Sequence, residues 1–144
     1  MANKQIAFVA ELKTQLGLQG CSTVKEWTFN TPITLTENYE VIIYATNEGS
    51  SGERAEVTEA SNFQVIICIK KTELNGTNNE TIKQNNIEKV KKAIFNTFDG
   101  AIAYITSYFF ADGVNQEITL TEFNNVDYIA YNIPIQITVK NSYV

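Results

Sequence analysis

Apolar residues near the start of the chain recur three and four apart, at Ile6, Val9, Leu12 and Leu16 with Phe8 beside them, and Gly17 and Gly20 follow. That spacing gathers them on one side of a helix and the glycines supply a stop, so residues 3–16 predict an amphipathic first helix. The period then shortens to two. VKEWTF puts Trp27 and Phe29 on one face of a short strand and Thr28 on the other. Around residues 39–46, Val41, Ile42, Ile43 and Tyr44 run apolar without a break, the pattern of a strand covered on both faces. From 62 to 71, Phe63, Val65, Ile67 and Ile69 alternate with Gln64, Ile66, Cys68 and Lys70, which predicts a strand with one apolar face and another mostly so. Between these strands residues 47–61, NEGSSGERAEVTEAS, are polar, acidic and interrupted by Gly and Ser, and they read as a long hairpin loop or arm.

Beyond Asn75 and Gly76, Thr77 and Glu80 stand three apart like a capping box, with Thr81 as a later alternative. A second helix follows, its buried stripe formed by Ile87, Val90, Ile94 and Phe98, while Lys83, Lys89 and Lys92 fall off that line and Gly100 follows the end. Phe95 and Phe98 both read as core. Residues 101–110 fit a helical stripe through Ile102, Ile105 and Phe109, but their aromatic and β-branched content favours a strand. After the turn Ala111-Asp112-Gly113, Ile118 and Leu120 alternate with Glu117, Thr119 and Thr121 in a half-exposed strand. Residues 128–139 close the chain, with Ile133, Ile135, Ile137 and Val139 alternating with Pro134, Gln136 and Thr138. Proline lacks the ladder donor, which places this strand at an edge or bulges it near Pro134.

The order helix, strands, helix, strands predicts an α+β fold in which two main helices pack on one face of a largely antiparallel sheet. Residues 1–144 are expected to form one domain with a polar acidic loop at about 47–61. With 44 % hydrophobic and 19 % charged residues the chain has the material for a core, which excludes a disordered polymer or a coiled coil. No apolar run approaches the roughly 18 to 20 residues of a spanning helix, and MANKQIAFVAELK carries an acidic residue where a signal peptide would stay apolar. The expectation is a protein made in the cytoplasm with no membrane partner.

Candidate chemistry is sparse. The absence of His removes the commonest general base and metal ligand together. Neither G-x-S-x-G, nor G-x-x-x-x-G-K-[ST], nor G-x-G-x-x-G occurs, so nucleophile elbows and phosphate cradles of those kinds are excluded. Cys21 and Cys68 are too few for a zinc cluster, and Cys68, inside VIICIK, reads as a small buried hydrophobe. Glu53, Glu56 and Glu59 lie close in sequence without the spacing of a calcium loop. Asn75-Gly76-Thr77 and Asn79-Glu80-Thr81, sequons by pattern, read as turn and cap chemistry. No catalytic residue, cofactor or metal is assigned, although two carboxylates meeting in space remain open to sequence reasoning.

Charge is more informative in its distribution than in its net value of -5. Glu37, Glu40, Glu48, Glu53, Glu56 and Glu59 form an acidic block relieved only by Arg54. From Lys70 to Lys92 the balance reverses, and Asp112, Glu117, Glu122 and Asp127 make a second acidic run. Such blocks are either solvated faces or complementary surfaces on neighbouring copies, and the second case suits a head-to-tail contact that closes into a ring. The single Arg argues against a bidentate nucleic-acid surface.

The helix IAFVAELKTQL, the strand and acidic excursion VIIYATNEGSSGERAEVTEAS, the strand FQVIICIK, the helix IEKVKKAIFNTF and the closing YIAYNIPIQITV together resemble the tail terminator, or tail completion, proteins of long-tailed bacteriophages. The likeness is one of layout over about residues 4–139, and no residue role transfers by motif. It implies a small subunit that assembles with itself into a six-membered ring in the virion, on the last ring of tail-tube protein, ending tail growth and offering the surface on which head-completion or neck proteins join tail to head. Asn75 to Asn86 and Ala101 to Phe110 are longer than such a subunit requires, which leaves a head-closure or connector position open. A ligand-binding or regulatory module outside phage also stays open.

DNA would pass through such a ring without specific binding, and an acidic wall would keep the duplex from sticking. On that scheme Glu48, Glu53, Arg54, Glu56 and Glu59 are expected at the lumen or against a neighbour. Lys83, Lys89, Lys91 and Lys92 are expected at the subunit interface, facing acidic groups of the adjacent copy or of the tube.

Overall fold

A computed structural model defines the fold and describes residues 4–27, 34–53, 56–74, 76–101, 105–110, 117–119 and 128–142. Helix α1, Lys4–Leu18, buries Phe8, Leu12 and Leu16 completely, a stripe at strict four-residue spacing. The expected stripe is therefore rotated. Val9 is half-buried, and Ile6, read as a core position, is 68 % exposed. Gly20 ends the helix with φ +88, its N–H donating to Gly17 O while the Cys21 N–H donates to Leu16 O at 3.0 Å. These are the paired bonds of a Schellman cap, which needs a left-handed residue and so favours glycine.

Strands β1, Val24–Trp27, and β2, Tyr39–Glu53, pair in parallel. β3, Glu56–Lys70, then pairs antiparallel with β2. A 3-10 turn, Lys71–Leu74, leads to α2, Asn79–Asn96, which passes into a π turn at Thr97–Ala101. β4, Ile105–Phe110, β5, Glu117–Thr119, and β6, Tyr128–Ser142, complete the sheet, whose order is β1-β2-β3-β6-β4 with β5 also on β6. All pairings except β1 with β2 are antiparallel, so the fold is α+β with a largely antiparallel sheet.

Both helices lie on one face of that sheet. Phe8, Leu12, Leu16, Ile87, Val90, Ala93, Ile94 and Phe98 meet Val41, Ile43, the odd-numbered β3 residues from Phe63 to Ile69, and the odd-numbered β6 residues from Tyr131 to Val139. The other face has a smaller core of Leu35, Ile42, Ile66, Cys68, Tyr128 and Ala130. Two cores explain the unbroken apolar run on β2, since Val41 and Ile43 serve one and Ile42 the other. Cys68 is buried as expected, and neither cysteine is in a disulfide among the described residues.

Four local expectations are corrected. Residues 47–53 and 56–61, expected in a loop or arm, are strand: β2 and β3 stay in register past a bulge at Ala45/Asn47, from Asn47↔Asn62 to Glu53↔Glu56, and β6 follows β3 as far as Glu56↔Ser142. β6 is an interior strand, not an edge. Pro134 falls between the stretch paired with β4, Ile135–Val139, and the stretch paired with β5, Ile129–Tyr131, where no described strand needs its donor on that flank. The α2 capping box does not form; Asn78 is the N-cap without a side-chain bond, and the Asn79 side chain instead accepts from the Gly76 N–H at 3.0 Å. Phe95 is 45 % exposed, whereas Phe98 is buried and stacks 5.9 Å from Phe8.

Candidate assembly interface

The basic side of the candidate surface is built on α2, whose buried stripe Ile87, Val90, Ala93 and Ile94 fixes how its lysines are presented. An α-helix turns by about 100° per residue, so Lys89 and Lys91 stand about 160° apart by the shorter way round and flank the stripe from opposite sides. Lys92 points away from the sheet. The four lysines singled out from sequence therefore do not form one patch.

Lys83 is occupied within its own chain. Its Nζ lies 3.1 Å from a Glu80 carboxylate oxygen and 5.6 Å from the ring centre of Tyr131 on β6. Glu80 is held below the usual carboxylate range by hydrogen bonds from Gln84 and then from Lys83. Lys89 lines a cleft of about 400 Å³ with Cys21, Thr23, Asn38, Tyr39, Asn85 and Asn86. Lys91 and Lys92 remain on the solvent side, and Phe95 follows them at i+4 and i+3, the spacing at which helix side chains are neighbours. Among the described residues neither lysine forms an ion pair. Phe95 is the member of this surface that the sequence reading missed; its offset of one residue from the Ile94 position of the stripe was the signal.

The acidic side is the outer end of the β2–β3 hairpin. Register puts Glu48 opposite Ser61, Glu53 opposite Glu56, and Glu59 opposite Ser50 on one flank and Val139 on the other. These glutamates share one end of the sheet, and Arg54 lies outside the described residues. Measured along β3 at about 3.3 Å per residue, Glu56 is roughly 10 Å beyond Glu59, whose register partner Val139 lies in the helix-facing core.

The cleft has its own electrostatics. Burial raises the Cys21 thiol above its ordinary pKa and the Lys89 ammonium opposes that rise. A thiol held protonated is a poor nucleophile. Burial, then the charge of Glu73, also pushes the Tyr39 hydroxyl up, and that hydroxyl donates to Glu73 at 3.4 Å. The lining thus offers hydrogen-bonding groups and a cation. Among the described residues no cluster is placed to hold a metal ion, and no helix is long and apolar enough to cross a membrane.

No family model matches the sequence, and no curated protein does. Among solved structures, a chain from "Virion of native gene transfer agent (GTA) particle" is similar at a TM-score of 0.46 and 10 % identity, over 92 % of this chain and 93 % of that one.

Proposed function

We propose that this chain is a structural virion subunit of a phage tail or neck, a tail terminator that acts by forming a ring with copies of itself. One observation carries the reading. A single fold holds two surfaces of opposite charge apart, the hairpin end bearing Glu48, Glu53, Glu56 and Glu59, and the solvent side of α2 bearing Lys91 and Lys92. Surfaces of opposite sign in different places on one subunit suit a heterologous contact, which generates a ring when the rotation closes. A two-fold dimer, by contrast, sets a patch against itself. The layout resemblance to tail terminators supplies the proposed place of the ring, on the tube's last ring and beneath the head.

The test is deletion of the gene in the phage that carries it, with the particles imaged by electron microscopy. Tails of irregular length are the expected result. Tails of normal length detached from heads would move the subunit to a head-closure or connector position, and complete infectious virions would reject both.

The cleft at Cys21 and Lys89 favours a second reading, a small ligand-binding module. Its check is a screen of small anions and polar metabolites for a rise in melting temperature that Lys89→Ala abolishes.

A further inference from the structure

We propose that the exposed Phe95 with Lys91 and Lys92 is the docking site for the acidic ends of the hairpin strands, Glu48–Glu53 and Glu56–Glu59, of a second copy of this chain. The proposal rests on the ring reading and names the two surfaces that meet in it.

Three observations point to that occupant. Phe95 is 45 % exposed at the end of α2, and the Phe8–Phe98 stack at 5.9 Å brings the first turns of α1, with Ile6 at 68 % exposure, to the same end of the helical layer. Aromatic side chains accessible beside cations are what interface centres are made of, with charge at the rim. Lys91 and Lys92 are one turn before Phe95 and form no ion pair among the described residues, so docking a carboxylate there displaces none of the described ion pairs. The hairpin end has the opposite sign, and Val57 stands within it between Glu56 and Glu59.

The surface also has direction. Glu88 lies one turn before the lysines and exposed Asp99 one turn after Phe95, so the positive charge is confined to a short stretch. An acidic partner is attracted at Lys91 and Lys92 and repelled at either end, which fixes where it sits. The hairpin end and this patch lie on separate parts of the fold, so each copy keeps one surface of each kind available after its first contact.

The experiment replaces Phe95→p-benzoylphenylalanine in the full chain, mixes light and heavy isotope-labelled protein, irradiates, and scores only peptides that join two copies. The expected product links position 95 to a peptide within residues 48–59. Adding Lys91→Glu and Lys92→Glu should lower its yield at least about tenfold, and pairing that chain with one carrying Glu53→Lys and Glu56→Lys should restore it. Circular dichroism melts of each variant separate loss of docking from loss of fold. A link to any other segment of the second copy overturns the docking site and leaves self-assembly standing. No link between copies overturns the docking site, while the gene deletion decides the ring reading on its own.

Discussion

The carboxylate of Glu40, 1 % exposed, meets Lys25 of the neighbouring strand at 2.6 Å. Its other oxygen accepts the N–H groups of Thr36 at 2.7 Å and Glu37 at 2.9 Å, and Lys25 also donates to Thr34 O at 2.6 Å. One ion pair, buried on the Glu40 side and half-buried at Lys25, thereby fastens residues 34–37 over the face of the sheet away from the helices. Beneath that segment Leu35 completes the smaller core, and the Tyr128 hydroxyl donates to Glu37 O at 2.5 Å. Removing the lysine leaves the buried Glu40 carboxylate with only its two backbone donors, and because Lys25 is itself partly solvated, Lys25→Met should destabilise the fold by about 1–2 kcal/mol. Urea unfolding measures the loss, and hydrogen exchange at Thr36 and Glu37 should quicken in the same variant.

Phe8→Ala and Ile6→Ala should separate sharply, although sequence periodicity treated both as core positions. Phe8 is fully buried with its ring centre 5.3 Å from that of Phe63 and 5.9 Å from that of Phe98, and its truncation should cost about 3–5 kcal/mol. Ile6 is 68 % exposed, and its truncation should change stability by less than about 0.5 kcal/mol. Equal losses in chemical denaturation would show that α1 packs through the other stripe.

That contrast marks how far sequence reasoning reaches. Periodicity identified α1 but could not choose between two overlapping stripes, because Ile6, Phe8, Val9 and Leu12 span more than one helix face and only the packing partners, Phe63 and Phe98, decide. On β3 and β6 the alternation was clear because one face is buried under helices, and Phe63, Val65, Ile133 and Ile137 fall where it put them. The same logic explains the miss at residues 47–61. There the two-residue hydrophobic signal fades, since even buried Ser61, opposite the core residue Ile137, is polar, and Gly and Ser remain to suggest a loop. Pro134 misled for a related reason, since the gap between β4 and β5 that accommodates it depends on distant segments. For the candidate interface, the sign and position of the charges were legible. Which lysines are available was not, because Lys83 is taken by Glu80 and Tyr131 and Lys89 turns into the cleft.

Two glycines at the end of the first helix, Gly17 within it and Gly20 in its cap, should respond oppositely to alanine. Gly20 holds φ +88, where a side chain is strained whatever the space around it, so Gly20→Ala should cost about 1 kcal/mol. Gly17 is inside α1 with open space where a Cβ would point, so Gly17→Ala should stabilise by about 0.5–1 kcal/mol. Thermal melts give both signs.

The thiols should separate by reactivity. Cys68 is fully buried and should stay silent to iodoacetamide in the folded protein, while half-buried Cys21 should react with a pH midpoint above that of an ordinary thiol because burial disfavours its thiolate. Lys89 partly offsets that burial, so Lys89→Met should move the midpoint higher still, and an unchanged midpoint would dissociate Lys89 from the thiol. The linkage has a definite sign. A raised folded-state pKa means that the unfolded chain loses this proton first as pH climbs, so the Cys21 contribution to stability is intact below the ordinary thiol value and declines from there up to the raised one. Replacing the group by Cys21→Ser removes that titration, and the difference in unfolding free energy between wild type and variant should shrink across that alkaline window if the wild-type thiol is what titrates.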